Sequence, residues 1–597
     1  MAIADKKAYA AAFLFMGLML GLAFLSVQKD SLTFDELAHI PAGYSYLTQQ
    51  DYRINPEHPP LAKDLSGIGQ LFVRPTFPAT SELWRQDAGA PPWWIQFDLG
   101  TEFLFRSGNN PKEMITAARI PMLLFLLGLG ILIFMWARKL GGNAVGLMSL
   151  FLFAFSPTFL AHGHLVATDV AAAFGVVLAT FFWIRMLGHP SPKNVLLAGL
   201  ALGVAELLKF SLILLIPFLG ILSLVYPLLY KRNILPYLGK SVLAGLAALL
   251  LVIWPVYAFH TLNYPPDRQV RDTISDLSPG GITPIESLII NLSDKPVVRP
   301  LAQYARGVSM VLQRSTFGNT TYFMGAISAS AFRTYFPILN ILKPPLALLA
   351  LNLIVLPALF IFLFLKPLRK TKPKKILKGI PNWIRDNFTV ASFILFVNLY
   401  WIVTTTGNLN IGFRHLLPIF PFNYILLSWA AALAYGAMPR IPKRIFAALL
   451  IALFAWYGTS SLTTFPHYLS YYNELAGGRA NGYKIAVDSN YDWGQDFGKL
   501  VAFVNENNIK RISLDYFGGE DPSYYLKDRY VRLNPKEVAR SGEVPKGWIA
   551  VSVNQLMGGI AKPVPGFDQE TGYYDWLYDN YVPVARAGDS IFIYHIE

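Results

Sequence analysis

Residues 114–161 read MITAARIPMLLFLLGLGILIFMWARKLGGNAVGLMSLFLFAFSPTFLA. Two apolar runs, 114–137 and 143–161, flank the basic pair Arg138 and Lys139. A hydrocarbon core about 30 Å thick takes roughly 20 helical residues to cross, so the stretch reads as two membrane-spanning helices joined by a short basic turn. The pattern recurs along the 597 residues near 8–27, 166–186, 194–208, 210–230, 238–260, 337–365, 388–404, 413–437 and 445–463, which makes eleven spans. Composition agrees: the chain is 54% hydrophobic and 15% charged, against about 45–50% and about 25% for soluble domains. The expected fold is a polytopic α-helical membrane protein.

The formal charge of +14 could suggest a nucleic-acid binder, so the placement of the 51 basic residues decides its meaning. Twenty of them, with only Asp5 and Asp386 opposing, sit in short connections around Lys6, Arg138, Arg185, Lys231, Lys366 to Arg385, and Arg440. The remainder carries 31 basic and 35 acidic residues. A surplus confined to alternate short loops is the positive-inside pattern, and it excludes a nucleic-acid reading. It places the N-terminus in the cytoplasm of a cell whose cytoplasmic (inner) membrane holds the protein. The long segments 28–113, 261–336 and 464–597 then lie outside. The stretch 194–230 is long for one helix and short for two. Parity favours two, because a single crossing would put the eight charges of 366–385 on the outer side.

The absence of cysteine excludes disulfides, thiolate catalysis and Cys-ligated zinc. Lys6 and Lys7 before an apolar run resemble a signal peptide, but no clear small-x-small cleavage site follows, so a retained first span is expected. In Asp35 to Thr48, Leu37, Ile40, Tyr44 and Leu47 recur at helical spacing, which predicts a helix lying along the outer membrane surface. Two domains follow: a transmembrane unit, 1–463, and an extracytoplasmic α/β tail, 464–597. In the tail a helix is expected at Gln495 to Glu506, with strands near Arg511 to Tyr516, Trp548 to Val553 and Ser590 to Tyr594.

Charges in or beside the spans carry the chemical information, because each costs about 2.5–3.5 kcal/mol at mid-helix. Only Asp169 and Glu206 fall inside the apolar segments. Asp169 can be a helix cap beside Thr168 or a functional acid; Glu206 and Lys209, three apart, can neutralise each other on one helix face. Asp35 and Glu36 follow the first span, where acids serve as an N-cap and first-turn pair or as reacting groups. His58 lies between Glu57 and two prolines, on a stiff backbone that suits a fixed ligand or proton-transfer geometry.

Several short motifs recur in a fixed order: Phe34-Asp35-Glu36, Pro56-Glu57-His58-Pro-Pro-Leu-Ala-Lys63, Ala118-Arg119-Ile-Pro, Thr168-Asp169, Tyr335-Phe-Pro with Leu342-Lys343-Pro-Pro, and Asn410-Ile-Gly-Phe-Arg414-His415. Pro466-His-Tyr-Leu-Ser-Tyr-Tyr-Asn-Glu474 and Asp488-Ser-Asn-Tyr-Asp492-Trp-Gly-Gln495-Asp496 follow. Over about residues 1–500 the chain resembles bacterial polyprenyl-phosphate-dependent glycosyltransferases of the GT-C fold, which include protein O-mannosyltransferases and the aminoarabinose transferase of lipid A. The resemblance implies transfer of a sugar from a polyprenyl-phosphate donor to an acceptor hydroxyl on protein, lipid or glycan at the outer membrane face, usually with inversion. It maps the catalytic acid onto Asp35, with Glu36 beside it, and a second acidic motif onto Asp169.

A hydroxyl is a poor nucleophile until a positioned carboxylate takes its proton, an effect of about 10²- to 10⁴-fold, which makes Asp35 the candidate base. Departure of a polyprenyl phosphate calls for fixed cations. Lys63, Lys209, Arg414 and His415, with His58, are the candidates for substrate and phosphate binding; each cation also has a snorkelling role open to it. A divalent metal on Asp35, His58 and Asp169 is possible. The segment starting at Asp488 is no EF-hand, since Trp493 and Lys499 stand where Gly and Glu are required; its polar groups are expected to fix the junction with the tail. A polytopic transporter is the main alternative, disfavoured because transport sites gather near the midplane and these acids do not. A scaffold presenting the tail is a third reading.

Overall fold

The computed structural model describes residues 4–86, 93–361 and 373–597, with the side chains of 373–378 excepted. Most of the basic connection 366–385 therefore lies outside the described side chains.

Among the described residues, eight helices are long and apolar enough to cross a membrane, and a ninth is obtained if the bent pair Tyr335–Leu342 and Leu346–Leu359 is one span. The remaining two of the eleven expected segments have definite physical reasons. Pro111–Ala154 is counted as one helix of 44 residues, about 66 Å at 1.5 Å per residue, twice the hydrocarbon thickness. The chain reverses inside it: Gly142 has φ +83° and ψ −177°, and a Cβ at Gly146 would stand 3.0 Å from Cβ of Arg138. The stretch 114–161 is thus the expected hairpin. The other is Pro192–Glu206, only 15 residues long; it is separated from Phe210–Leu229 by Lys209, whose backbone is extended at φ −160° and ψ 128°. The span helices turn Phe13, Leu124, Leu250 and Leu449 outward, exposed by 83%, 56%, 53% and 43%, as hydrocarbon rather than water requires.

The helix Glu36–Thr48 corrects the sequence reading. Every residue from Glu36 to Tyr46 is buried, so it does not lie on the membrane surface. It is sandwiched because Gly43 lets the neighbouring helix Leu61–Val73 approach: a Cβ on Gly43 would meet the Lys63 carbonyl oxygen at 2.1 Å. The outward apolar face belongs instead to Leu61–Val73, through Ile68, Leu71 and Phe72.

Among the described residues eight short strands occur: β1 (Thr321–Phe323), β2 (Ala326–Ser328), β3 (Ile512–Asp515), β4 (Tyr530–Arg532), β5 (Gly547–Ser552), β6 (Lys562–Pro563), β7 (Ala585–Ala587) and β8 (Ile591–Ile596). The tail holds a mixed sheet of order β4-β3-β5-β8-β7 beside the helix Phe497–Glu506. Its three central strands lie where the alternating apolar residues place them. A second sheet, β1-β2-β6, pairs Ala326 with Lys562 and so ties the loop 261–336 to the tail. The first loop joins them: Phe34 N–H donates to the Trp493 carbonyl at 3.0 Å, and Gly519 N–H to that of Leu32 at 3.1 Å. The three long non-spanning segments therefore gather at one end of the bundle.

Candidate active site

A cavity of about 360 Å³ lies where those segments meet. It is lined by Asp35, His39, Glu57, His58, Asp169, Lys209, Arg314, Arg414, His415, Asp488 and Trp493, among a larger set of apolar side chains.

Asp35 precedes the helix Glu36–Thr48, and its carbonyl accepts from the N–H groups of Ala38 and His39. Its side chain makes no capping bond. The carboxylate is instead turned into the cavity, 24% exposed, with Oδ2 accepting from Arg414 Nη1 at 2.8 Å. Asp169 opens the helix Asp169–Gly188 and is buried; its Oδ1 is 2.5 Å from Lys209 Nζ and its Oδ2 3.5 Å from Arg414 Nη1. Arg414 thus bridges the two acids, with its guanidinium carbon 4.1 Å above the Trp493 ring. These residues come from five separate stretches of chain.

The intrahelical pairing of Glu206 with Lys209 does not occur. The helix stops at Glu206, so three-residue spacing no longer puts the two on one face; Lys209 reaches Asp169, and Glu206 accepts from the Tyr304 hydroxyl at 3.0 Å.

Glu36 is not at the reacting surface. It is fully buried and paired with Arg119 through two bonds, Nε at 2.8 Å and Nη2 at 2.6 Å. Thr33 N–H and Oγ1 and Val166 N–H supply three more. Burial raises its carboxyl, but Arg119 and these donors outweigh that and hold it at about 2. Both its oxygens are occupied in tying the first loop to the turn before Asp169.

Lys63 is likewise absent from the cavity lining. It is 1% exposed, and its ammonium donates to the Tyr46 hydroxyl, the Asn55 carbonyl and Oδ1, and the His58 carbonyl, all within 2.9 Å. Burial lowers it well below the usual lysine range. Its role is to fold the 55–58 turn, and it thereby sets the place of His58. That imidazole lines the cavity, 5.0 Å between ring centroids from His39. Burial first, then His39 and Lys63, push His58 well down, so it is neutral; its buried Nδ1 has no hydrogen-bond partner among the described residues. His39 Nδ1–H donates to the Val166 carbonyl, 2.7 Å away, which fixes the proton on that nitrogen because a carbonyl only accepts. His415 lines the cavity beside Arg414.

Asp35, His58 and Asp169 share one cavity but do not converge as metal ligands. The guanidinium of Arg414 stands between the two acids, and among the described residues no group of three His, Asp or Glu is placed to hold a metal ion. Among the described residues the donor set does not fit a metal in this arrangement.

Arg314, His39, Asp488 and Trp493 are cavity residues to which the sequence analysis gave no role there. Arg314 donates to Glu57 Oε2 at 3.0 Å. In the segment 488–496 the polar groups do fix the tail: Asn490 bonds Tyr335 and the Phe413 N–H, and Asp492 accepts from Asn554 N–H. Asp488 departs from that expectation by turning into the cavity. Burial, partly offset by Arg414 and reinforced by Asp35, pushes its carboxyl up to about 6. The only sequence signal for it was its place in a family motif.

Residues 111–258, about a quarter of the chain, match the family described as dolichyl-phosphate-mannose-protein mannosyltransferase. A comparison with curated proteins finds no match. Among solved structures, the chain is similar to ArnT from Cupriavidus metallidurans bound to undecaprenyl phosphate, at 13% identity over 98% of this chain and 97% of that one, with a TM-score of 0.47. It is also similar to the oligosaccharyltransferase AglB from Archaeoglobus fulgidus in complex with an inhibitory peptide and a dolichol-phosphate, at 10% identity over 92% and 71% of the two chains and a TM-score of 0.44. The Archaeoglobus fulgidus oligosaccharyltransferase in the apo form gives 12%, 97%, 73% and 0.47. The chain is a polytopic membrane protein, and the stretch that matches the mannosyltransferase family is the one that carries Asp169 and Lys209 into the cavity.

Proposed function

We propose that the protein transfers a sugar from a polyprenyl-phosphate donor to an acceptor hydroxyl at the outer face of the cytoplasmic membrane, with inversion. The observation that carries this reading is the carboxylate of Asp35, presented to an apolar-walled cavity and joined through Arg414 to the Asp169–Lys209 pair. Asp35 takes the proton of the acceptor hydroxyl as its oxygen forms a bond to the anomeric carbon. The bond from that carbon to the phosphate oxygen breaks, and the polyprenyl phosphate leaves with the electron pair. One displacement on one face inverts the anomeric centre.

Charge develops on the departing phosphate, where preorganised cations act most strongly. Arg414 offers a planar donor fork and Lys209 a point charge. Both are held by acids, Asp35 and Asp169, that fix their positions before substrate arrives. The apolar lining, with Phe97, Phe210, Leu214 and Phe336, suits the first isoprene units of a lipid donor and excludes water. The ring of Trp493 holds the guanidinium flat.

The test is Asp35→Asn in proteoliposomes supplied with a radiolabelled polyprenyl-phosphate sugar. Transfer is expected to fall by at least about 10²-fold with the protein inserted and folded; unchanged turnover would overturn the assignment.

A further inference from the structure

Asp488 and Ile411 line a second cavity as well as the first. This side cavity, about 200 Å³, opens among the tail residues. Its walls include the amides Asn554, Gln555 and Gln569, the ring of Tyr573, and the pair Lys536 and Glu570. Its chemistry is unlike that of the main cavity. The ammonium of Lys536 is 3.6 Å from Glu570 Oε2, an oxygen that Arg540 Nη2 also approaches at 2.9 Å, and it lies 5.1 Å from the Tyr573 ring centroid.

Amide side chains beside the Tyr573 ring, with two carboxyl groups in the same walls, select for a particular ligand. An anionic headgroup would face the carboxyl groups of Glu570 and Asp488. An isoprenoid or acyl chain would strip water from amides without replacing its hydrogen bonds. A neutral polyhydroxylated molecule satisfies them, since amides and hydroxyls each both donate and accept, and the apolar C–H face of a pyranose can lie on Tyr573. At roughly 15 Å³ of free space per water-sized atom, the side cavity takes on the order of a dozen non-hydrogen atoms, one monosaccharide. It is coupled to the reacting end: Asn554 Oδ1 accepts from the Asp488 backbone N–H at 3.1 Å, holding that residue at φ +54°, a conformation uncommon outside glycine.

We propose that the side cavity is an acceptor subsite for a neutral sugar residue: the acceptor is a glycan, one unit of which sits among Gln555, Gln569 and Tyr573 while the next presents its hydroxyl to Asp35. The proposal rests on the glycosyl-transfer reading above.

The cysteine-free chain makes a direct test available. Gln569 is exposed at the cavity rim, and Gln569→Cys creates a single maleimide-reactive site in the full-length protein; Asn507→Cys on the tail surface serves as control. Maltotriose, mannotriose and chitotriose are the probes, with a Ser/Thr-rich peptide as competitor. At least one trisaccharide is expected to slow labelling of Gln569→Cys by about tenfold and leave Asn507→Cys unaffected. The same trisaccharide should act as acceptor with a KM that rises once Gln569→Cys is labelled. If no trisaccharide slows labelling, or only the peptide does, the proposal is overturned. Transfer of radiolabelled sugar from the lipid donor to the acceptors of an envelope extract by the unsubstituted protein is measured separately. If transfer occurs without glycan protection, only the acceptor subsite fails; absence of transfer overturns the transfer reading itself.

Discussion

Replacing Glu36 by glutamine, with Asp35→Asn as its counterpart, tests whether two adjacent acids have been assigned correctly. Glu36 accepts five hydrogen bonds in a fully buried site, two of them from the Arg119 guanidinium. Its carboxyl is held at about 2 against an ordinary value of 4.5, which at about 1.4 kcal/mol per pH unit corresponds to about 3 kcal/mol of folding stability. Removing one member of a buried pair leaves the other charge unanswered, at about 3–5 kcal/mol, so two independent routes agree on the size. The sign follows from the lowered value: the contribution is fully present above pH 4.5 and is lost as pH falls from there through about 2. The assay is thermal unfolding in detergent followed by tryptophan fluorescence. At neutral pH Glu36→Gln should melt well below the unsubstituted protein, and the gap should close as pH falls through that window. Asp35→Asn should melt normally and be inactive. A Glu36→Gln protein that melts like the parent yet transfers no sugar would refute the structural role given to Glu36.

Lys209→Met should lower kcat/KM for the lipid donor by about 10²-fold, with Lys209→Arg recovering part of the loss; donor-dependent steady-state rates check this. The Asp488 carboxyl, pushed up to about 6, is neutral below that value and anionic above it. The added negative charge beside Asp35 opposes the donor phosphate, so donor KM should rise from about pH 5 to about pH 7, and Asp488→Asn should flatten the profile. Reporter fusions active only outside the cytoplasm should be active after Tyr264 and after Pro466 and silent after Lys374; activity at Lys374 would overturn the charge-parity argument.

The membrane architecture was legible in the chain itself, because an apolar run long enough to cross a bilayer and the basic residues that flank it are local properties. The apolar segments, the basic connection at Arg138 and Lys139 and the three central strands of the tail sheet were read from periodicity, run length and the placement of charge, while the reversal at Gly142 and the shortness of Pro192–Glu206 were not. The membership of the site was only partly legible. Asp35, Asp169, Lys209 and Arg414 were identified as charges at one end of the bundle, but their pairing was not. Lys209 crosses to Asp169 because the helix ends at Glu206, and no spacing rule reports where a helix will stop short. Burial decided the rest. Glu36 and Lys63 are of the same residue classes as Asp35 and Lys209, yet close packing at Gly43 and the bonds from Arg119 to Glu36 and from Lys63 to Asn55 take them out of the cavity. Asp488 and Trp493 are brought in by backbone pairing between the tail and the first loop, more than 450 residues away in sequence. A residue type and its neighbours determine what chemistry a side chain can perform; which side chains share one desolvated space depends on long-range packing, which only the tertiary structure sets.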